Sequence, residues 1–174
     1  DGDGHTTEFN GTQWVLDPED LNGIDEDANG FTDDLAGWNF ITSNGDPNPI
    51  PGNPVGSHGT HCAGIAAGST NNGIGIASIS WNLKVMAICA DEDNSLYYAS
   101  EGIIYAAENG ADIISNSWGG GTYQNADQEA VTYAAGLGSI ILAAAGNDNS
   151  SVIYYPADYQ NVISVASVNS DDTK

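Results

Sequence analysis

The sequence predicts an α/β fold, a parallel β-sheet with helices on both faces. From residue 58 onward, apolar segments of strand length alternate with segments of helical periodicity. That alternation is typical of a parallel sheet with right-handed crossovers. The strand segments are continuously apolar, which indicates strands covered on both faces. We expect one domain over residues 1–174, without internal repeats.

The predicted elements begin late in the chain. Residues 1–57 are rich in Asp, Asn, Gly and Pro, which predicts loops with few regular elements. HCAGIAAGS, residues 61–69, predicts a buried helix ended by Gly68, and LKVMAICA, residues 83–90, predicts a strand. The segment 95–111 predicts a helix closed by Asn109 and Gly110. Its apolar face would consist of Leu96, Ala99, Ile103, Ala106 and Ala107.

The remaining elements continue the same alternation. Strands are predicted in ADIISNSWGGG, SIILAAAGN and NVISVASV, with a helix in NADQEAVTYAAGLG between the first two. Ligands collect at the carboxyl ends of the strands in such sheets. We therefore expect SWGG, AAAGND and the SHGTH that opens the first helix to converge on one site.

The composition is strongly acidic, with 24 acidic residues, two lysines and a net charge of −22. This balance excludes nucleic acid as an expected partner, because binding it requires the opposite charge. Two explanations stay open: a solvated acidic surface suited to salty water, and cation binding by clustered acids. No apolar run reaches the roughly 18 residues that a membrane span needs. The start at Asp1, without Met, suggests a processed product.

The two cysteines, Cys62 and Cys89, lie in apolar segments. We expect buried free thiols, with a disulfide as the alternative.

Two of the three histidines, His58 and His61, lie three residues apart in SHGTH. A zinc site would need further ligands, but no acid lies between them, and we expect Cys62 to point elsewhere. Two structural histidines are another alternative. The favoured interpretation makes His58, in the first helical turn, a general base at neutral pH, with His61 packed beneath it.

SHGTHCAGIAA resembles the catalytic-histidine motif of the subtilisin-like serine proteases. NNGIGIASISWNLKVMAI is similar to that family's calcium loop and following strand, SNSWGG to its substrate-pairing segment, and ILAAAGN to its oxyanion-asparagine strand. The four motifs occur in the family's order, and the resemblance covers about residues 5–174. It implies a subtilisin-like fold and a secreted, calcium-stabilised serine endopeptidase.

The resemblance also assigns roles to individual residues. His58 would be the general base, and the Asn147 amide would donate to the oxyanion. An extended peptide substrate would pair with the backbone of one cleft wall and face a second wall of small residues. These substrate-binding residues are Ser117, Trp118, Gly119, Ala144 and Gly146.

Two parts of the family pattern are missing. No GTSMA-type nucleophile motif occurs, and Asp1 and Asp3 in DGDG fit the orienting aspartate poorly. Without the serine no acyl-enzyme can form. We therefore expect the N-terminal and central portion of a peptidase domain, partnered by the remainder that carries the serine. Alternatives are a non-catalytic structural subunit that forms homo-oligomers or filaments, and a calcium-binding adhesion module.

Two Ca²⁺ sites are expected. NGIDEDANGFTDD places oxygen ligands at alternate positions before a glycine, as calcium loops do, within an acidic insertion of about residues 17–36. It lacks an acid at the twelfth position of an EF-hand, which is Ala36; an acidic solvated loop is the alternative. The ligands would be Asp25, Asp27, Asn29, Asp33 and Asp34. The family pattern implies a second site formed by Asn72, the carbonyls of Ile74 and Ile76, and Glu8.

Overall fold

A computed structural model describes residues 6–12, 14–49, 52, 56–92 and 95–173. Asp1 and Asp3, considered above for the orienting aspartate, lie outside the described residues. The backbone forms two units, Asp1–Tyr97 and Tyr98–Lys174. Parallel strands and helices occur in both, which confirms the predicted α/β class. No helix among the described residues is long and apolar enough to cross a membrane.

The described residues of the first unit form three two-stranded sheets. Those among the first 57 residues contribute three short strands, in agreement with the loop-rich prediction. β4 is the predicted strand of LKVMAICA, reduced to three residues, and it pairs in parallel with β3. The other two sheets are antiparallel hairpins. The strands are β1 (Thr7–Phe9), β2 (Trp14–Leu16), β3 (Gly37–Asn39), β4 (Ala87–Cys89), β5 (Asp91–Glu92) and β6 (Ser95–Leu96).

Asn39, at the end of β3, is buried and organises the loop that follows. Its Oδ1 accepts hydrogen bonds from the backbone N–H groups of Ile41 and Thr42, and its Nδ2 donates to the carbonyl of Asp46. A polar side chain can be buried at little cost when its hydrogen bonds are all made. Because Asn39 is a polar residue between Trp38 and Phe40, this segment has no apolar run of strand length, and the sequence did not predict a strand here.

The first helix, α1 (Gly56–Ala67), ends where predicted, since the N–H of Gly68 closes its last turn on the carbonyl of Gly64. The prediction of a buried helix is wrong. Ile65 is 47% exposed and His61 is exposed. Small apolar residues satisfy both a buried helix and a partly exposed one, so composition alone does not decide burial.

The second unit is a parallel sheet of three strands in the order β7-β8-β9. Two helices, which pack against each other, connect to it; one contacts β7 and the other β8. The core lies between helices and sheet, with Val131 and Ile141 among the most buried side chains. The opposite sheet face carries Ile113 and Ile140, each about half exposed. The elements are α2 (Ala99–Glu108), β7 (Ile113–Asn116), α3 (Asn125–Leu137), β8 (Ile140–Ala144) and β9 (Val162–Val165).

The predicted apolar face of α2 is correct for Ile103, Ala106 and Ala107, which are buried. It is wrong for Leu96, which is exposed in the β5–β6 hairpin and pairs with Asp91. The hydrogen bond from the N–H of Tyr97 to the carbonyl of Ala90 extends the hairpin pairing, so the helix starts only at Ala99.

Candidate active site

His58 lies in the first turn of α1 with an exposed side chain. Its Nε2 is 3.7 Å from the Sγ of Cys62. The expectation that Cys62 points elsewhere is therefore wrong, because residues four apart on a helix share a face. His61 is exposed and not packed beneath His58.

The two cysteines are free, as expected, but both are only half-buried. Cys89 lies in β4, where burial raises the pKa of its thiol above the ordinary value and the Asp91 carboxylate adds to the rise. A raised pKa keeps the thiol protonated and unreactive at neutral pH.

In the second unit, the carboxyl ends of β7 and β8 lie side by side. The parallel register pairs Asn116 with Ala143. Asn116 is buried, and its Nδ2 donates to the carbonyl of Leu142 at 3.1 Å, which ties the two strand ends together. Ser117 to Gly119 follow β7, and Ala144 and Gly146 lie at and just beyond the end of β8. These five predicted substrate-binding residues are thus brought to one edge of one sheet.

Asn147, the predicted oxyanion donor, follows directly and is exposed. The preceding Gly146 has φ +90°, a left-handed conformation that favours glycine. The N–H of Ala145 bonds the carbonyl of Val165, so the chain leaves the sheet only at Gly146. The turn therefore presents the Asn147 side chain to solvent at the mouth of the sheet.

A residue that the sequence analysis did not single out, Tyr154, lies between the two predicted cleft walls. A Cβ added at Gly119 would lie 2.8 Å from its Cδ1, and one added at Gly146 would lie 3.3 Å from the same atom. The ring thus packs directly on the backbone of both glycines. Nothing in local spacing marks Tyr154, since the short segment around it has neither helical nor strand periodicity.

The segment that carries Tyr154 is fixed on both sides. The N–H of Gly120 donates to the carbonyl of Tyr155 at 2.8 Å, and Pro156 is fully buried. The rings of Tyr155 and Tyr159 pack 4.7 Å apart, centroid to centroid, and Tyr123 meets both edge-on. Aromatic pairs of this geometry stabilise by about 0.5–1.5 kcal/mol each.

Tyr159 connects this segment to α3. Its hydroxyl accepts from the N–H of Gln124 at 3.1 Å and donates to Asp127 at 3.4 Å. Asp127 also accepts from Ser100 of α2 at 2.5 Å. Burial raises the pKa of Tyr159 above its ordinary value; the Gln124 hydrogen bond opposes the rise, and the Asp127 carboxylate adds to it.

The acidic loop of residues 17–36 gathers several of the predicted calcium ligands. Asp25 and Asp27 each accept from the N–H of Asn29 at 3.1 Å, and the Asn29 Nδ2 donates to Asp34 at 3.1 Å. Asp33 is turned away, towards the N–H groups of Asn22 and Gly23. Among the described residues, no three Asp, Glu, His or Cys side chains are placed to hold one metal ion.

The second predicted calcium loop is an exposed turn. Asn72 Oδ1 accepts from the N–H of Ile74 at 3.0 Å, and the glycines on either side of Ile74 have left-handed φ angles. Ile74 and Ile76 are exposed. Glu8 is exposed in the β1–β2 hairpin, opposite Val15.

Comparison with known proteins places these segments in a family. The model described as "Subtilase family" matches residues 15–174. The chain belongs to the subtilase family. This confirms the resemblance drawn from SHGTH, SNSWGG and ILAAAGN.

Relatives of this subtilase include thermitase from Thermoactinomyces vulgaris, 43% identical over 143 residues, which are 80% of this chain and 50% of that protein. The halolysin-like extracellular serine protease Nep of Natrialba magadii is 38% identical over 157 residues, 88% of this chain and 28% of Nep. Among solved structures, a protease from Pseudoalteromonas arctica is 34% identical with a TM-score of 0.62, over 72% of this chain and 44% of that one. The chain thus spans half or less of the length of these relatives.

Proposed function

We propose that this subtilase chain is the part of a secreted, calcium-stabilised serine endopeptidase that carries the general base and the oxyanion donor. The observation that carries the proposal is the shared sheet edge. Parallel register brings the SNSWGG and AAAGN segments together, at the place where α/β sheets bind ligands. Thermitase matches over 80% of the chain, and Nep is named as a serine protease.

In this proposal the exposed imidazole of His58 takes the proton of a serine hydroxyl and later returns it to the leaving amine. The serine belongs to the remainder of the peptidase domain. Asn147 donates its side-chain N–H to the oxyanion that forms on the attacked carbonyl. The backbone of Ser117, Trp118 and Gly119 pairs with the extended substrate as an added strand.

Calcium would have a structural role. The acidic loop offers only oxygen donors, the ligand type that Ca²⁺ prefers. Asp25, Asp27 and Asp34 are each one hydrogen bond from Asn29, so a cation could replace the amide donors that these carboxylates now use. Asp33 is the least suited of the predicted ligands, since its carboxylate bonds the N–H groups of Asn22 and Gly23 and not Asn29. At the second site, the Asn72 side chain and the carbonyls of Ile74 and Ile76 would bind, with Glu8 completing the shell.

Secretion is proposed because Nep, which matches 88% of the chain, is named as an extracellular protease. The acidic composition, with net charge −22, suits both calcium binding and a salty exterior. No observation favours the structural or filament-forming alternative, since the relatives described above are named as proteases or belong to a protease family.

The proposal is tested in the complete protein by three single substitutions. His58→Ala should lower kcat by at least about 10²-fold, because proton transfer is lost and little packing changes. Asn147→Ala should lower kcat by about 10²–10³-fold with KM nearly unchanged, since the oxyanion forms only in the transition state. His61→Ala is the matched control on the same helix, and it should leave kcat near the parent value.

Peptide hydrolysis and thermal melting of each variant are the measurements. Full activity of a folded His58→Ala protein would refute the assignment. Loss of activity in a folded His61→Ala protein, with His58→Ala active, would reverse the roles of the two histidines.

A further inference from the structure

The slot between the two predicted cleft walls is already filled by a side chain of this chain. Ser117 to Gly119 are predicted to form one wall and Ala143 to Gly146 the other, and small residues there would leave room for a substrate side chain. The Tyr154 ring instead touches the backbone of both Gly119 and Gly146. An aromatic ring in contact with both walls leaves no room for a second large group between them.

The space that remains beside the ring is small. A pocket lies between Tyr154 and the loop after β8, bordered by Gly146, Asp148 and Val152. Its cavity volume of about 10 Å³ is close to the minimum that one water molecule needs. The pocket is also acidic on one side because of Asp148, which disfavours a carboxylate there.

The ring is held where it is by the segment that carries it. The antiparallel bridge between Gly120 and Tyr155 joins this segment to one wall. Pro156 is fully buried, and Tyr159 is 4% exposed and bonded to Gln124 and Asp127. With the next residues anchored in this way, moving the Tyr154 backbone would break buried contacts.

We infer that Tyr154 is a specificity-determining residue that closes the primary substrate pocket to large side chains. The enzyme therefore cleaves after small residues such as Gly and Ala. This inference rests on the proposed function and names its substrate class. It goes beyond the family assignment, because it depends on the position of one ring in this chain. A Cβ at Gly119 would clash with the ring, and one at Gly146, whose left-handed φ already favours glycine, would lie 3.3 Å from it.

The test uses the complete protein and peptides that differ only at the residue before the cleaved bond, with Ala, Leu or Phe there. The wild type should have kcat/KM at least about tenfold higher for Ala than for Phe. One methylene group that does not fit a pocket already changes kcat/KM by about tenfold or more, and excluding a whole ring should cost at least as much. Tyr154→Ala should remove this preference or invert it, with a smaller change for the Ala peptide. Tyr154→Phe keeps the ring and should keep the preference.

Tyr133→Ala is the matched control, a tyrosine on the exposed face of α3 whose hydroxyl donates to Glu108. It should leave the preference unchanged.

A second measurement applies if Tyr154→Ala does not fold. The wild type is allowed to cleave a denatured protein, and its cleavage sites are mapped by mass spectrometry. Predominance of Gly and Ala before the cut supports the inference.

Three results overturn the inference. They are a wild type that cleaves after Phe or Leu as well as after Ala, a folded Tyr154→Ala enzyme with unchanged preference, and cleavage sites dominated by large residues. In each case the enzyme is active, so the proposed function stands. A folded wild type that hydrolyses none of the peptides and does not react with a fluorophosphonate refutes the proposed function, and the inference falls with it.

Discussion

At the residue scale, the second unit is stabilised by a few polar side chains with specific partners. Asn116 joins β7 to β8. Asp127 accepts from both Ser100 and Tyr159, and it thereby joins α2 to the segment that carries Tyr154. Each net hydrogen bond of this kind contributes about 1 kcal/mol, but leaving a partner buried and unpaired costs about 1–3 kcal/mol. These contacts therefore act mainly to exclude other arrangements of the same elements.

Tyr159 gives a prediction about alkaline pH. Its pKa is raised in the folded state, so the unfolded state loses its proton first as pH increases. The stability that depends on the neutral hydroxyl is fully present below about pH 10, the unfolded value, and is lost as pH rises through the folded value. At pH 7, Tyr159→Phe should lower the free energy of unfolding by about 1 kcal/mol.

The difference between wild type and Tyr159→Phe should shrink as pH increases above about 10, because only the wild type loses this contribution. Urea unfolding of both proteins at about pH 7, 9, 10 and 11 measures it. A difference that grows with pH would contradict the assignment.

At the element scale, two glycines near the end of α3 have opposite roles. Gly138 caps the helix with φ +107°, and the N–H of Ser139 bonds back to the carbonyl of Ala134. Gly136, two residues earlier, lies inside the helix, and nothing lies within 4 Å of an added Cβ. Glycine costs about 0.5–1 kcal/mol relative to alanine inside a helix, whereas alanine is strained at a left-handed cap.

Gly136→Ala should therefore raise the free energy of unfolding by about 0.5–1 kcal/mol, and Gly138→Ala should lower it by about 1 kcal/mol or more. Each variant is the control for the other, since they add the same methyl group at positions two residues apart. Thermal or urea unfolding measures both. If the two substitutions change stability in the same direction, the cap conformation of Gly138 is not what decides their effect.

At the scale of the whole molecule, the net charge of −22, with only two lysines to oppose it, dominates. Like charges in the acidic loop repel each other, and a cation that binds only the folded state relieves the repulsion. In the proposed calcium loop, Asp25 and Asp27 converge on one backbone N–H, which brings their like charges close together.

EDTA at constant ionic strength should therefore lower the melting temperature of the complete protein, and added Ca²⁺ should restore it. Asp27→Asn should reduce the shift that Ca²⁺ produces. The matched control is Asp112→Asn, an exposed acid outside both proposed loops, which removes the same charge and should leave the calcium shift unchanged. An identical melt with and without EDTA would exclude both proposed sites.

Much of the fold could be predicted from local patterns in the amino-acid sequence. The helices that end at Glu108 and Leu137 and the strands β7, β8 and β9 were predicted, because helical periodicity, apolar runs of strand length and glycine stops are local signals. The juxtaposition of the SNSWGG and AAAGN segments was also predicted, since neighbouring parallel strands place their carboxyl ends at one edge. The family followed from the order of the motifs, which is written in the sequence itself.

What the tertiary structure alone decided are contacts between residues that are distant in sequence. The pairing of β3 with β4 joins residues about 50 apart, and no local signal selects that partner. The placement of Tyr154 against Gly119 and Gly146 depends on the anchored segment that follows it. Periodicity along the chain indicates whether a segment forms a helix or a strand, whereas its burial and its neighbours in space are determined only when the elements pack together.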